Sequence, residues 1–465
     1  MFPAGRIVPL SGRPPETRND GGIVTASYGA PCARVKRART YALVNPVLAL
    51  GLLAVAGLLA ARLPRPLSHR SPSLDLAITA GVPLILLGLV LGPGIELARP
   101  LLRALAPLTA FAIGWIGAVL GARFEWRYAR RIPRAAWLLA AAGAGAAFLV
   151  VALGAWLLAR LVPGLAAVWT PRLPAVLGIA AVAAASGPEA VTAVARAVGV
   201  ERRLARALGR AAALETACAA LAMGIPLALR HPLSWGVFAA GGGALVGLVC
   251  WRVTRLIPAG QDVAPALVGS VLFGAGIGYA TDVSPFLVCA LAAVVAVNAA
   301  PRRREVRAAL RAWERPTSAL VLLISGALLA LPTLWIIAAV PVLQALRIGA
   351  RWLNARYARV ALTWRDLPPH FGLGTVAQGG TALALAVNYF IMYGRGPESP
   401  GVGAAPGGGV SGMDAGAAVL TTMVLGVALA QFAAPPLMRL ALRAGPAPLT
   451  PALARPELTT NAPVD

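Results

Sequence analysis

Among the seventeen acidic residues of this chain, Glu215 stands apart. Most of the others fall in polar loops or at the edges of apolar stretches. Glu215 lies in Ala211-Ala212-Ala213-Leu214-Glu215-Thr216-Ala217-Cys218, a run of small and apolar residues that reads as a buried helix. An ionised carboxylate in the middle of a membrane helix costs at least about 2.5–3.5 kcal/mol. A residue kept there at that cost lines a pathway or pairs with a partner; the bland alternative is a neutral Glu hydrogen-bonded to a neighbouring helix. An acid held out of water is also a place where a proton and a cation can compete for one group.

Two other stretches bear on the same chemistry. Ser186-Gly187-Pro188-Glu189-Ala190-Val191 interrupts an apolar segment. Its proline removes a backbone donor and loosens the helix. Breaks of this kind point half-helix ends at a midplane site in transporters, where freed carbonyls and amides can meet an ion; an ordinary proline kink is the simpler reading. Glu189 follows the break, where it would sit at a half-helix N-terminus. The second stretch, Thr375-Val376-Ala377-Gln378-Gly379-Gly380-Thr381, is a polar, glycine-rich interruption near the other end of the chain. Two interrupted helices in corresponding halves are the pattern of inverted repeats. The glycine-bearing segments Phe111–Gly117 and Leu322–Leu328 form a similar pair.

The elements that must carry these residues are membrane helices. Of 465 residues 58% are hydrophobic and only 13% charged, with a mean hydropathy of +0.74. A soluble fold of this length would not hide so much apolar surface, and a disordered chain would hold far less of it. The composition predicts an all-α polytopic membrane protein of about thirteen transmembrane helices. Spans are expected near 41–61, 75–93, 104–122, 135–159, 174–195, 211–229, 235–251, 263–281, 284–300, 317–332, 333–346, 371–393 and 413–438. They form one membrane domain, 41–444, between a basic polar tail, 1–40, and a Pro-rich tail, 445–465, expected to be disordered.

The net charge of +25 comes from 42 basic residues. Sorted by loop, 29 of these 42 fall on one side of the predicted topology, which puts the C-terminus in the cytoplasm. The setting that fits is the inner membrane of a bacterium. The basic N-terminal tail, placed outside by this count, runs against the rule. Nucleic acid is excluded as a partner, because no soluble domain carries a basic patch with aromatics. The four cysteines are scattered without a CxxC pair, and His69, His231 and His370 lie far apart in loops. Neither set suggests a resident metal or cofactor, and the absence of a catalytic constellation argues against an enzyme. No nucleotide-binding motif accompanies the membrane part, so ATP-driven transport is not expected.

At these residues the chain resembles the monovalent cation:proton antiporter superfamily, the sodium/hydrogen exchangers and potassium-efflux antiporters. Leu86-Leu87-Gly88-Leu89-Val90-Leu91-Gly92-Pro93 is similar to that family's early Gly-rich helix. Ser186-Gly187-Pro188-Glu189-Ala190-Val191 resembles its Thr-Ser-Pro-x-Ala-Val break. Ala293–Asn298 with the following Arg315-Pro316 fits its middle, Gln378-Gly379-Gly380 its second broken helix, and Gln431–Leu437 its last helix. The resemblance implies two inverted repeats with broken, crossing helices, a core that moves against a dimerisation domain, and hence a homodimer. It implies no cofactor beyond the transported cation and proton.

One departure matters. Where the family keeps the Asp that binds ion or proton, this chain reads Glu215-Thr216. The carboxylate comes one residue early, about 100° around the helix, and is one methylene longer. The resemblance implies an ion and proton site built from Glu215, Thr216, Ser186, Gly187, Pro188 and Glu189, with Gln378, Gly379 and Gly380 from the second break. Arg347 falls where the family keeps a basic residue and is expected either to neutralise Glu215 or to be a cytoplasmic loop residue. The implied function is secondary exchange of protons for Na⁺ or K⁺. The lost Asp leaves room for a non-exchanging homologue on the same fold, such as a sensor, an assembly partner or a carrier of organic solutes. A membrane-embedded enzyme is the remote third class.

Overall fold

The computed structural model describes residues 81–91, 98–229, 234–258, 261–361, 370–394 and 412–443. The expected span 41–61, part of 75–93, both tails and most of the Gly/Pro-rich 394–412 segment lie outside these. Among the described residues the structure is helical, without strands. In chain order the helices are α1 (Val82–Leu91), α2 (Ala98–Gly121), α3 (Trp126–Ala129), α4 (Arg134–Leu161), α5 (Pro163–Val168), α6 (Arg172–Ala184), α7 (Pro188–Ala197), α8 (Arg202–Ala228), α9 (Ser234–Leu256), α10 (Ala264–Ala280), α11 (Pro285–Ala299), α12 (Arg303–Ala312), α13 (Glu314–Ala327) and α14 (Trp335–Ala361). A 3₁₀ turn at Phe371–Thr375, α15 (Gly380–Gly394) and α16 (Gly412–Arg443) complete them.

Five of these helices contain a stretch long and apolar enough to cross a membrane. The pair α6–α7, bent by 41° at its break, makes a sixth. Their outward faces are apolar as well: Leu149, Leu153, Leu221, Phe238 and Leu245 are exposed. A helix greasy on all sides is one that lives in lipid, and the chain is a multi-pass membrane protein.

Both expected interruptions are real. The segment 174–195 divides into α6 and α7 around Ala185-Ser186-Gly187, and 371–393 divides into the 3₁₀ turn and α15 around Val376–Gly379. Pro188 stands in the first turn of α7, where its missing N–H loses no helix bond. The two breaks meet backbone to backbone. Gly187 N–H donates to the Ala377 carbonyl at 3.0 Å. A Cβ on Gly187 would stand 2.4 Å from the Gly379 nitrogen, so only glycine permits this crossing.

The region 317–346 differs from its expected division. α13 starts earlier and stops at Ala327, and Leu328–Leu334 connects it to α14, which runs on to Ala361. The apolar pattern fades after 346, but the helix continues, because its next turns are buried by protein and not by lipid. Arg347 is therefore a helix residue and not a loop residue. Arg303–Ala312, expected to be loop, is a short amphipathic helix that buries Val306 and Leu310.

Helix packing repeats itself in the two halves. α1 packs on α13, and α2 packs on α11. In both contacts glycine brings backbones together. A Cβ on Gly88 would lie 2.1 Å from the Leu323 carbonyl oxygen, and one on Gly326 2.1 Å from that of Ile85. Gly117 and Gly121 stand against the carbonyls of Phe286 and Ala290 at 2.3 and 2.0 Å in the same sense. α4 and α14, each preceding a broken helix, pack on one another.

These contacts separate two kinds of helix glycine. Gly326→Leu must push α1 off α13 and is expected to cost about 1–3 kcal/mol or more, as overpacking does. Gly145, on α4 with nothing within 4 Å of its absent Cβ, is expected to gain about 0.5–1 kcal/mol as Ala. Melting of the detergent-solubilised variants measures both, and a Gly326→Leu protein as stable as wild type would refute the assignment of this contact.

Candidate functional site

A helix that stops inside an apolar layer leaves its last carbonyls without donors. α6 stops at Ala184, and this chain meets its loose carbonyls with three side chains, two from α14 and one from the second break. Arg347 donates Nε to the Ala183 oxygen at 2.6 Å, Nη2 to Ala185 at 3.1 Å and Nη1 to Val376, in the second break, at 2.8 Å. Arg351 donates Nη2 to the Ala184 oxygen at 2.8 Å. Gln378 donates Nε2 to the oxygens of Val182 at 2.8 Å and Ala185 at 3.3 Å. Arg347 and Arg351 are 0% and 1% exposed. Four residues apart on α14, they share one face, and Gln344 lies one turn before them on that face.

Glu215 reaches the same place from α8 and is 7% exposed. Its Oε2 accepts from Arg351 Nη1 at 2.5 Å and from the Ser186 hydroxyl at 2.6 Å. Its Oε1 lies 3.3 Å from Thr375 Oγ1. Thr375 Oγ1 also accepts from Arg351 Nη1 at 2.9 Å, and the Ser186 hydroxyl lies 2.8 Å from the Thr375 carbonyl. Thr216 turns its hydroxyl to the carbonyls of Ser186 and Ala212. The carboxylate thus touches both breaks at once, through Ser186 of the first and Thr375 of the second.

The residues expected at the site divide into two groups. Glu215, Thr216, Ser186, Gln378 and the glycines 187 and 379 come together at the crossing. Arg347 is there too, but its guanidinium is spent on carbonyls, and the ion-pair partner of Glu215 is Arg351. Glu189 faces elsewhere. Its Oε1 accepts from Thr381 Oγ1 at 2.7 Å and lies 3.4 Å from the Thr381 nitrogen, in the first turn of α15. Its Oε2 is 3.8 Å from Arg123, which in turn pairs with Glu314 at 3.0 Å. Glu189 therefore supplies negative charge where the N-termini of α7 and α15 meet. Pro188 shapes the start of α7, and Gly380, which begins α15, lies against Ser318.

Two residues of the site are not singled out by the sequence, Arg351 and Thr375. The helical interval from Arg347 to Arg351 is the available signal, hidden because the apolar span is drawn to end at 346. Thr375 opens the second interruption, but nothing in the sequence sets its side chain against Glu215.

The oxygens gathered here are Glu215 Oε2, Ser186 Oγ, Thr375 Oγ1 and the Ala184 carbonyl. All of them are contacts of Arg351 or of the carboxylate it holds. Carboxylate, hydroxyl and carbonyl oxygens are the ligand types that hard cations take, and here they hold a guanidinium.

No family model matches the chain, and no curated protein matches it. Among solved structures it is similar to the sodium proton antiporter MjNhaP1 from Methanocaldococcus jannaschii at pH 8, with a TM-score of 0.58 and 18% identity. That match covers 84% of this chain and 98% of the other. An electron-microscopy structure of the same antiporter matches with a TM-score of 0.56 and 16% identity, covering 90% and 99% of the two chains. With nearly the whole of that protein matched, the broken helices crossing near their middles and the repeated helix contacts are those of a known architecture: the chain has the sodium proton antiporter fold.

Proposed function

We propose that the chain is a secondary carrier that exchanges protons for a monovalent cation, Na⁺ or K⁺, across the bilayer, and that Glu215 is the group for which both compete. The observation that carries this reading is that one buried carboxylate touches both broken helices. The similar structure is that of a sodium proton antiporter, which supports the cation class. The carrier would sit in a bacterial inner membrane with its C-terminus in the cytoplasm, as a homodimer.

In this reading Arg351 is a resident stand-in for the cation. With Glu215 protonated, the guanidinium keeps Ala184 and Thr375. With Glu215 ionised, an arriving cation takes Glu215 Oε2, Ser186 Oγ, Thr375 Oγ1 and the Ala184 carbonyl, and Arg351 withdraws. Proton and cation are then never held together, which is the requirement for exchange, and rocking of the core exposes the site to each side in turn. Arg347 takes no part in the swap, because it holds the two breaks in place.

A second reading is favoured by the same ion pair. A carboxylate already matched by a guanidinium needs no cation, and a homologue that no longer exchanges would look like this.

Purified protein in vesicles separates the two. The exchange reading expects proton-coupled flux of Na⁺ or K⁺ that falls at least about tenfold, to the vesicle background, in Glu215→Gln. A folded wild type without flux sinks it in favour of the second reading.

Stability gives an independent measure. Arg351→Met strands a buried carboxylate and is expected to cost about 3–5 kcal/mol. Under exchange, Na⁺ or K⁺ binds in the guanidinium's place and restores much of the loss, since a ligand bound only to the native state raises its stability. Arg347→Leu leaves the carbonyls of Ala183 and Val376 unmet and that of Ala185 with only its longer bond to Gln378, at about 1–3 kcal/mol for each unmet group, and no cation is expected to restore it. Cation rescue of Arg347→Leu but not of Arg351→Met would reverse the roles assigned to the two arginines.

A further inference from the structure

Behind the crossing lies a small cavity of about 20 Å³, walled by Gln344, Gln378, Thr422, Val182, Ala183 and Gly426 among others. Two of the side chains in its wall carry an unmatched oxygen. Gln344 Nε2 donates to the Gly426 carbonyl at 2.7 Å, and Gln378 Nε2 donates to that of Val182 at 2.8 Å. These bonds fix which end of each amide is nitrogen, because the reverse setting would oppose two oxygens. The remaining atoms, Gln344 Oε1 and Gln378 Oε1, are both buried and have no hydrogen-bond partner. Buried acceptors of this kind are normally met by a donor.

The walls say what the donor is. Thr422 is committed: its hydroxyl donates to the Ala418 carbonyl at 2.9 Å and lies 3.3 Å from Trp169 Nε1. Acceptors without free donors reject an anion. Arg347, one turn beyond Gln344, places its guanidinium on the carbonyl of Ala183 in the cavity wall, which disfavours a second cation. The size suits one water, which needs about 10–15 Å³, and a water has two O–H groups for two oxygens.

We infer that this cavity is a specific binding site for a single water molecule, which donates to Gln344 and Gln378 and ties α14 to the second break. Through Gln378 the water positions the amide that caps the end of α6. This role is separate from exchange at Glu215 and stands whether or not the protein exchanges cations.

The test is electron cryo-microscopy of the full chain, at a resolution that shows waters, in Na⁺, K⁺ and Rb⁺ buffers. Melting of Gln344→Met, Gln378→Met and the double variant accompanies it. The expected result is one peak between the two oxygens, the same in all three salts. Each single substitution is expected to lower the melting temperature, and the double variant to lose less than the sum of the singles, because both remove one shared bridge. A peak that changes strength with the salt would make this a cation site and overturn the proposal. The absence of a peak, or strictly additive losses, would overturn it as well.

Discussion

A backbone carbonyl in an apolar interior must find a donor, and this fold breaks two helices where donors are scarce. At the crossing the carbonyls at the end of α6, and those of Thr375, Val376 and Ala377, find one. Val182, Ala183, Ala184 and Ala185 at the end of α6 are met by Gln378, Arg347 and Arg351, and Val376 is met by Arg347. The Ser186 hydroxyl lies beside the Thr375 carbonyl, and the Gly187 amide serves that of Ala377. Guanidinium groups suit this task because each carries five N–H donors in a fixed fork. They also import two buried positive charges. Glu215 offsets one, and the partial negative charge at the end of α6 bears on both. At the opposite pole, where α7 and α15 begin, the sign of the helix ends is reversed and so is the side chain, Glu189.

The other elements follow from that need. α14 must run past the end of its apolar pattern so that Gln344, Arg347 and Arg351 present one face to both breaks. α4 packs along α14 and along α6 and α8, which holds the arginine face and the Glu215 helix in one layer. The glycine contacts between α1 and α13, and between α2 and α11, close the flanks at backbone distance. Such contacts suit a membrane, where close packing and hydrogen bonds do work that the hydrophobic effect does in water.

How far this was legible depends on whether a residue's role is local. The breaks were readable because Ser-Gly-Pro and Gln-Gly-Gly act on their own backbone. Glu215 was readable because a charge in an apolar run is conspicuous wherever it lies. Partnership was not. Arg351 meets Glu215 across 136 positions of sequence, and only the crossing of the two breaks brings them together. Arg347, suggested by resemblance, proved to be in the right neighbourhood with a different duty. Hydropathy misled at α14, because its scale treats an arginine as a residue for water. Here two arginines are solvated by carbonyls that the broken helices supply. Glu189 sits at the half-helix N-terminus that its place after the break implies, but the first turn of α7 points it at Thr381 of α15.

The two arginines also differ in what holds them, and this bears on what the centre can do. Arg347 spends Nε and both terminal nitrogens on three carbonyls drawn from both breaks. Arg351 spends only its terminal nitrogens, and its buried Nε is unmatched. Removing Arg347 from its place undoes the scaffold. Removing Arg351 leaves a single carbonyl, a hydroxyl and a carboxylate, a set that another cation can satisfy. Under the proposed exchange, the ion pair with Glu215 is the part of the crossing that would change its partner while the breaks stay closed. An exchanging centre needs that division of labour.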